Sequence, residues 1–499
     1  MTVLSDPGRV ARPEPAPGAL WIGGRREAAA DGGTRDVLDP ATGSVITAVP
    51  EAGAADVARA VAAARAASDS GAWSGLPPRR RAEVLLRVAG LLRENAEELA
   101  RLESLDVGKP LMFTRMVDVP TVIDTYEYYA ALAAGIEGAA RTTSIPAHAY
   151  TRREPFGVVA AVTPFNFPLI LSATKLAAAL VAGNTVVHKP AEETPLSALR
   201  VAELFHEAGL PDGVLNVVTG GAATGEALVT APGVDKVAFT GSSAVGRRVA
   251  EAAGSRLRPV TVELGGKGAN IVFADADLDA AIQTAVNAFV FNTGQFCMAG
   301  TRLLVERPVY DAVVGALGGA VGHIPVGDPF TDGTVVGPMA GPRHEEKVRG
   351  HLTAASAAGH AVTSGPERGG DGFFVPPTVI TGSDGSGLRQ DSPLIQEEIF
   401  GPVLTVQPFD TEAEAVAMAN GTPYGLAAGL QTKDVARAHR VAAALRAGIV
   451  WVNGWALLDP SMPFGGTGDS GYGRENGPEA LAEYLRTKSV VINLADDLG

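Results

Sequence analysis

The sequence holds one cysteine in 499 residues, Cys297. A single thiol excludes an intramolecular disulfide and fits a reducing compartment, so a cytoplasmic setting is expected. No apolar run is long enough to span a bilayer. The first twenty residues carry four prolines and no apolar h-region. They read as a loose arm over residues 1–18 rather than a signal peptide. Positive charge is also scarce: 41 Lys and Arg against 55 Asp and Glu give a net charge of −14. That argues against nucleic acid or an anionic membrane as partner. One cysteine and eight scattered histidines leave nothing to build a zinc site, and no metal is expected. The chain also lacks a P-loop, G-x-S-x-G and H-E-x-x-H.

What is present describes an α/β protein of two or three domains with ample core material. Ala52–Ala67, Pro78–Leu105 and Val117–Gly135 have helical apolar spacing, and Arg141–Glu154 reads as a projecting hairpin. From Gly157 short apolar strands alternate with helices. The strands are Val158–Val162, Thr185–His188, Val214–Val218, Val234–Phe239 and Val260–Glu263. Such alternation predicts a parallel sheet covered on both faces, with ligands at the carboxyl ends of its strands. A second α/β pattern follows Gly265, with strands at Ala269–Phe273, Arg302–Val305, Val403–Val406, Ala427–Leu430 and Ile449–Val452. The tail Ser489–Leu494 reads as one more strand.

Cys297 sits in a glycine-punctuated turn, Asn292 to Thr301, after the apolar helical run Leu278–Phe291. A thiol is a strong nucleophile where its surroundings favour the thiolate, although free cysteine also packs as a small inert hydrophobe. Four polar segments stand at predicted strand ends: Thr163–Pro168, His188–Glu192, Phe239–Ser243 and Glu263–Lys267. Each has a plain reading: Asn166 as a turn residue, Lys189 with Glu192 as a surface ion pair, Ser242 as a helix cap, Glu263 as a strand-end charge. Their gathering in one sheet-like region favours a ligand site. The turn Gly220–Gly225 also follows a strand and opens a helix, without the Rossmann spacing.

Five motifs in this order resemble the aldehyde dehydrogenase superfamily: Phe165-Asn166-Phe167-Pro168, Glu263-Leu264-Gly265-Gly266-Lys267, Gly294-Gln295-Phe296-Cys297, Glu397 to Pro402, and Pro463 to Gly466. The similarity runs from about Leu20 to the C-terminus. It implies a Rossmann-like cofactor domain (1–137 and 157–264), an α/β catalytic domain (265–485) and a β-arm for oligomerisation (138–156 and 486–499). A homodimer or homotetramer follows from the arm. The resemblance makes Cys297 the nucleophile toward an aldehyde, giving a thiohemiacetal and then a thioester. The Asn166 amide and the Cys297 N–H would hold the oxyanion, and Glu263 would activate the hydrolytic water. Lys175 and Glu475 match residues linked to proton relay from that glutamate. For Glu475 the plain reading is an exposed pair with Arg474.

On the cofactor side, the resemblance puts Lys189 and Glu192 at the adenine ribose, Ser242 at the pyrophosphate, Glu398 at the nicotinamide ribose and Phe400 beside the nicotinamide. Phe165, Gly221, Gly225, Leu264 and Gly265 complete the contact set. A carboxylate at Glu192 would bond a free 2′-hydroxyl and repel a 2′-phosphate, which favours NAD over NADP, with Lys189 offsetting part of the repulsion. Phe165, Phe167, Phe296, Met298, Trp455, Leu457, Leu458 and Phe464 are placed around the substrate mouth. An apolar funnel without a cation suits hydrophobic or aromatic aldehydes, unless Arg302 turns into it. Several of these residues could equally be core. The segment Gly468–Tyr472 departs from the commoner family pattern, which puts its local loop geometry in doubt. Two other readings stand beside aldehyde oxidation: a coenzyme A-acylating relative, against which Glu263 argues, and a silent binding protein, against which intact Cys297, Asn166 and Glu263 argue.

Overall fold

The computed structural model describes residue 8, residues 10–383 and residues 387–494. Continuous apolar runs become central strands because both sheet faces are covered by helices. Val158–Val162, for example, is buried at every position. It pairs in parallel with Thr185–Lys189 on one side and Lys236–Thr240 on the other. Leu215–Val217 and Val260–Glu263 extend this parallel core. Antiparallel edges complete an eight-stranded sheet: Leu20–Ile22 and Arg25–Glu27 at one side, Gly471–Tyr472 at the other. The carboxyl ends of the five parallel strands therefore bring Thr163, Lys189, Val218, Gly241 and Glu263 to one rim of the sheet.

A second sheet of seven strands runs in the order Ala361–Ser364, Thr378–Thr381, Val403–Phe409, Arg302–Glu306, Ala269–Val272, Ala427–Gln431, Ile449–Val452. All neighbours are parallel except the first pair. A third sheet joins Ala140–Arg141, Ala147–Pro155 and Leu485–Asn493. The last two strands pair along their whole length, from Leu485 opposite Pro155 to Asn493 opposite Ala147.

Several expectations change in detail. The helical run 78–105 is two helices, Pro78–Glu94 and Ala96–Val107, broken at Asn95. There Asn95 leaves helical geometry and its own side chain bonds back to the Leu91 carbonyl at 2.7 Å, a local competitor to continuation. The next helix is Val119–Leu132, entered through a π-turn at Thr114–Asp118. The strands Leu20–Ile22, Arg25–Glu27, Thr34–Leu38, Val45–Pro50, Ala361–Ser364, Thr378–Thr381 and Gly471–Tyr472 went unread. They are short or at edges, and pairing rather than periodicity defines them. Within the stretch expected to be a loose arm, the Val10 N–H bonds Phe330 O at 2.9 Å, and Arg12 bridges Asp39 and Asp328 at 2.6 and 3.0 Å. Residues 1–7 and 9 of that stretch lie outside the described residues. Among the described residues, no helix is long and apolar enough to cross a membrane, and no group of three or more His, Cys, Asp or Glu could hold a metal ion.

Candidate active site

The helix Leu278–Val290 runs into the turn Phe291–Gly294, where Asn292 and Thr293 adopt left-handed φ of 49° and 57°. Such conformations are unfavourable for non-glycine residues and persist where surrounding bonds over-determine them. Here they do. Asn292 Nδ2 donates to Asn166 O at 2.8 Å and to Gln295 O at 3.2 Å, and Thr293 Oγ1 donates to Gly337 O at 3.1 Å. Gln295 Oε1 accepts from the Ala340 N–H, and Asn166 Nδ2 donates to Gln295 O, each at 2.9 Å. The turn is fixed at both flanks, and Cys297 leaves it partly exposed. A β-carbon on Gly266 would lie 2.4 Å from Cys297 O, and one on Gly265 would lie 2.3 Å from Glu398 Oε2. The glycine pair of the Glu263 segment is thus what lets Cys297 and Glu398 approach.

Burial pushes the Cys297 thiol up to about 12, with the charges of Glu398 and Glu263 adding to it. The thiol is therefore protonated at neutral pH and needs a base to become nucleophilic. Glu263 is buried, and among the described residues neither of its carboxylate oxygens has a hydrogen-bond partner. Burial raises it well above the usual carboxylate range, against the pull of Lys175 and Arg474. Lys175, on helix Pro168–Ala182, pairs with Glu475 and donates to Thr240 Oγ1 at 2.6 Å. Burial draws the Lys175 ammonium down to about 7. Glu475 is buried in this pair and also accepts from Thr174 Oγ1 at 3.0 Å, so it is no surface partner of Arg474. Asn166 commits one N–H of its amide to Gln295 O, and the other has no partner among the described residues.

Cys297 opens onto a cavity of about 700 Å³. Seven of the eight residues expected around the substrate mouth line it: Phe167, Phe296, Met298, Trp455, Leu457, Leu458 and Phe464. Phe165 is not among the lining residues; it stacks on His344 at 4.1 Å and meets Phe400 edge-on at 5.8 Å. Sequence reasoning missed Phe113, Val117, Phe291 and, at the polar rim, Asp124 and Asp459. Among the described residues no Lys, Arg or His lines the cavity. Arg302 is spent elsewhere, donating to the carbonyls of Lys267, Met418 and Ala419.

The expected cofactor contacts gather at the rim of the eight-stranded sheet. Lys189 Nζ lies 3.8 Å from Glu192 Oε2, and Ser242 caps the helix Ser243–Gly254. Gly220 and Gly221 lead from strand Leu215–Val217 into helix Ala222–Thr230. Glu398 Oε1 accepts the Gly266 N–H at 2.8 Å, and Phe400 holds a left-handed φ of 63°. Leu264 is buried beneath this rim. Glycines with neighbouring atoms at Cβ distance, a largely buried lysine and two helix N-termini suit a dinucleotide.

Behind the site lies a buried ionic layer without a sequence signal. Lys109 pairs with Asp118 and stands 3.8 Å over the ring of Phe167. Glu103 accepts from the Leu169 N–H at 3.2 Å, at the start of the helix bearing Lys175, and from Ser197 Oγ at 2.8 Å.

Residues 27–490 match the aldehyde dehydrogenase family. The chain is similar to the structure of PnpE from Pseudomonas sp. WBC-3, at 42% identity over 97% of this chain and 99% of that one, with a TM-score of 0.93. It is similar to a mutant of the P. syringae indole-3-acetaldehyde dehydrogenase AldA in complex with NAD+ and IAA, at 42% identity, 96% and 97% coverage and a TM-score of 0.92. It is also similar to an aldehyde dehydrogenase from Bacillus cereus in complex with NAD+, at 40% identity, 98% and 100% coverage and a TM-score of 0.95. A thiol on a pinned turn, a buried unpaired glutamate beside it and a dinucleotide-shaped sheet rim are thus accounted for together: the chain belongs to the aldehyde dehydrogenase family.

Proposed function

We propose that the protein oxidises a hydrophobic or aromatic aldehyde to the carboxylic acid, with NAD as cofactor, through a covalent adduct on Cys297. The observation that carries this reading is the position of Cys297 on a cavity of about 700 Å³ lined mainly by aromatic and aliphatic side chains, with no Lys, Arg or His among the described residues that line it. Relatives of similar length and fold bind NAD+, and one of them is an indole-3-acetaldehyde dehydrogenase.

Lys189, Glu192, Ser242, Glu398 and the backbone at Gly221, Gly225 and Gly265 would hold the cofactor. Bound NAD supplies the hydride acceptor. The chain's own groups do the rest. The Cys297 thiol passes its proton to Glu263, which releases it before the hydrolytic step, and Sγ attacks the aldehyde carbon to form a thiohemiacetal, the charge on oxygen being met by the free N–H of Asn166 and the Cys297 N–H. Loss of hydride leaves a thioester on the same sulfur. Glu263, raised by burial, takes a proton from the water that hydrolyses it. The Lys175–Glu475 pair provides an exit for that proton along a buried path. An unpaired base beside the thioester favours water over coenzyme A as acceptor, and intact Cys297 and Glu263 argue against a silent binding protein.

We further propose the division into a cofactor unit around the eight-stranded sheet and a catalytic unit around the seven-stranded sheet. The strand Gly471–Tyr472 crosses from the latter segment to pair with Val262 and Glu263. The three-stranded sheet, with exposed Ile145, Val491, Ile492 and Leu494, supports a homodimer or homotetramer through that arm. A cytoplasmic location fits the single free thiol.

The test is turnover of purified protein with NAD against a panel of aldehydes, with and without coenzyme A. Acid formed at the same rate in both conditions supports the reading. Turnover that requires coenzyme A, or none with any aldehyde, overturns it.

A further inference from the structure

Glu51 and Arg35 stand at the rim of the eight-stranded sheet although neither belongs to that sheet. Arg35 lies on the strand Thr34–Leu38, and Glu51 follows the strand Val45–Pro50. Arg35 grips Glu51 with two bonds, Nε to Oε2 at 2.6 Å and Nη2 to Oε1 at 3.1 Å. Glu51 Oε1 also accepts the Gly221 N–H at 2.9 Å, just where helix Ala222–Thr230 begins. The guanidinium lies so close that a β-carbon on Gly221 would meet Nη2 at 2.8 Å. One turn along the same helix, a β-carbon on Gly225 would lie 3.9 Å from Lys189 Cδ. Lys189 in turn approaches Glu192. Arg35 and Lys189 therefore share one electrostatic cluster with Glu51, Glu192 and Glu193.

A helix N-terminus beside two cations attracts a phosphate group. Here that role is already taken. The Glu51 carboxylate occupies the Gly221 N–H and neutralises Arg35, and three carboxylates face two cations. We propose that Glu51, through its hold on Arg35 and Gly221, is a determinant of cofactor specificity beside Glu192, turning away a cofactor that carries a 2′-phosphate. This rests on the reading of the sheet rim as the adenine-ribose site. Without the Glu51 charge, Arg35 and Lys189 would face the rim with no acidic surplus.

The experiment uses the full-length protein with Glu51→Gln, which keeps an acceptor oxygen for the Gly221 N–H and removes the charge. The ratio of kcat/KM for NADP to that for NAD is measured, together with NADPH binding by fluorescence titration. The ratio is expected to rise about ten-fold or more, with tighter NADPH binding, and the gain to shrink when Arg35→Leu is added. A structural role alone would lower both cofactors together and leave the ratio unchanged. If Glu51→Gln leaves the ratio unchanged while Glu192→Gln raises it, the Glu51 inference is overturned and the ribose assignment stands. If neither variant moves the ratio, the reading of the rim itself fails.

Discussion

The side-chain amide of Asn166 donates to the main-chain oxygen of Gln295 at 2.9 Å, tying the turn after the first parallel strand to the turn that carries Cys297. Asn292 returns the contact by donating to the Asn166 carbonyl. The proposed oxyanion donor and the proposed nucleophile are thus held in one rigid frame. Asn166→Ala should lower kcat by about 10²–10³, the range for loss of one oxyanion donor. Alkylation of Cys297 by iodoacetamide should persist. A kcat within a few-fold of the unaltered enzyme would remove Asn166 from the oxyanion site.

Cys297 itself should be slow to alkylate in the cofactor-free protein. Burial, then Glu398 and Glu263, pushes the thiol up to about 12, so little thiolate exists at pH 7–8. The alkylation rate should climb steadily toward high pH, and Glu398→Gln should raise it at fixed pH by removing a like charge. Cys297→Ser should abolish aldehyde oxidation while NAD binding, read by calorimetry, survives. Fast alkylation at pH 6 would contradict the assigned environment.

Glu263 is raised well above the usual carboxylate range, so its base form fills only as pH rises through that higher value. Where thioester hydrolysis limits turnover, kcat should therefore fall as pH drops, starting well above the range of an ordinary glutamate. Glu263→Gln should suppress both the NADH burst and steady turnover, because thiol deprotonation and thioester hydrolysis both draw on this base. Steady turnover by that variant would exclude Glu263 as the base.

The cavity should favour benzaldehyde or octanal over succinic semialdehyde by kcat/KM. A second carboxylate entering a site lined by no cation among the described residues stays uncompensated, which costs several kcal/mol. An aromatic ring instead packs among Phe167, Phe296 and Phe464, with aromatic pairs adding about 0.5–1.5 kcal/mol each. Asp124→Lys, at the rim, should narrow the preference. Better use of succinic semialdehyde by the unaltered enzyme would refute this account of the pocket.

Stability should carry the mark of Glu103. Burial raises its folded-state value from 4.5 to about 7, the charge of Lys109 opposing and that of Asp118 assisting. Between those two values the folded state binds more protons than the unfolded one, so this group makes stability fall as pH rises from 4.5 to 7 and then level off. Glu103→Gln should be close to neutral at pH 4.5 and stabilising at pH 8, by about 1 kcal/mol or more in denaturant unfolding. A variant equally destabilised at both pH values would show that a bond, not a charge, decides.

Sequence alone determined the alternation of buried strands and helices, because a parallel strand covered on both faces must be apolar along its length, as Val158–Val162 is. The family motifs likewise fixed which residues stand at strand ends and on the cysteine turn. Seven of the eight residues expected around the substrate mouth do line one cavity. Phe165 did not follow: its ring turns to His344, a partner 179 residues away that no local pattern announces. Glu475 reads as a surface charge in sequence and becomes buried only because Lys175, 300 residues earlier, projects from the facing helix. Arg35, Glu51, Glu103 and Lys109 carry no periodicity or motif of their own function. Charges take their meaning from what surrounds them in space and from how much water is excluded, and those are properties of the tertiary structure.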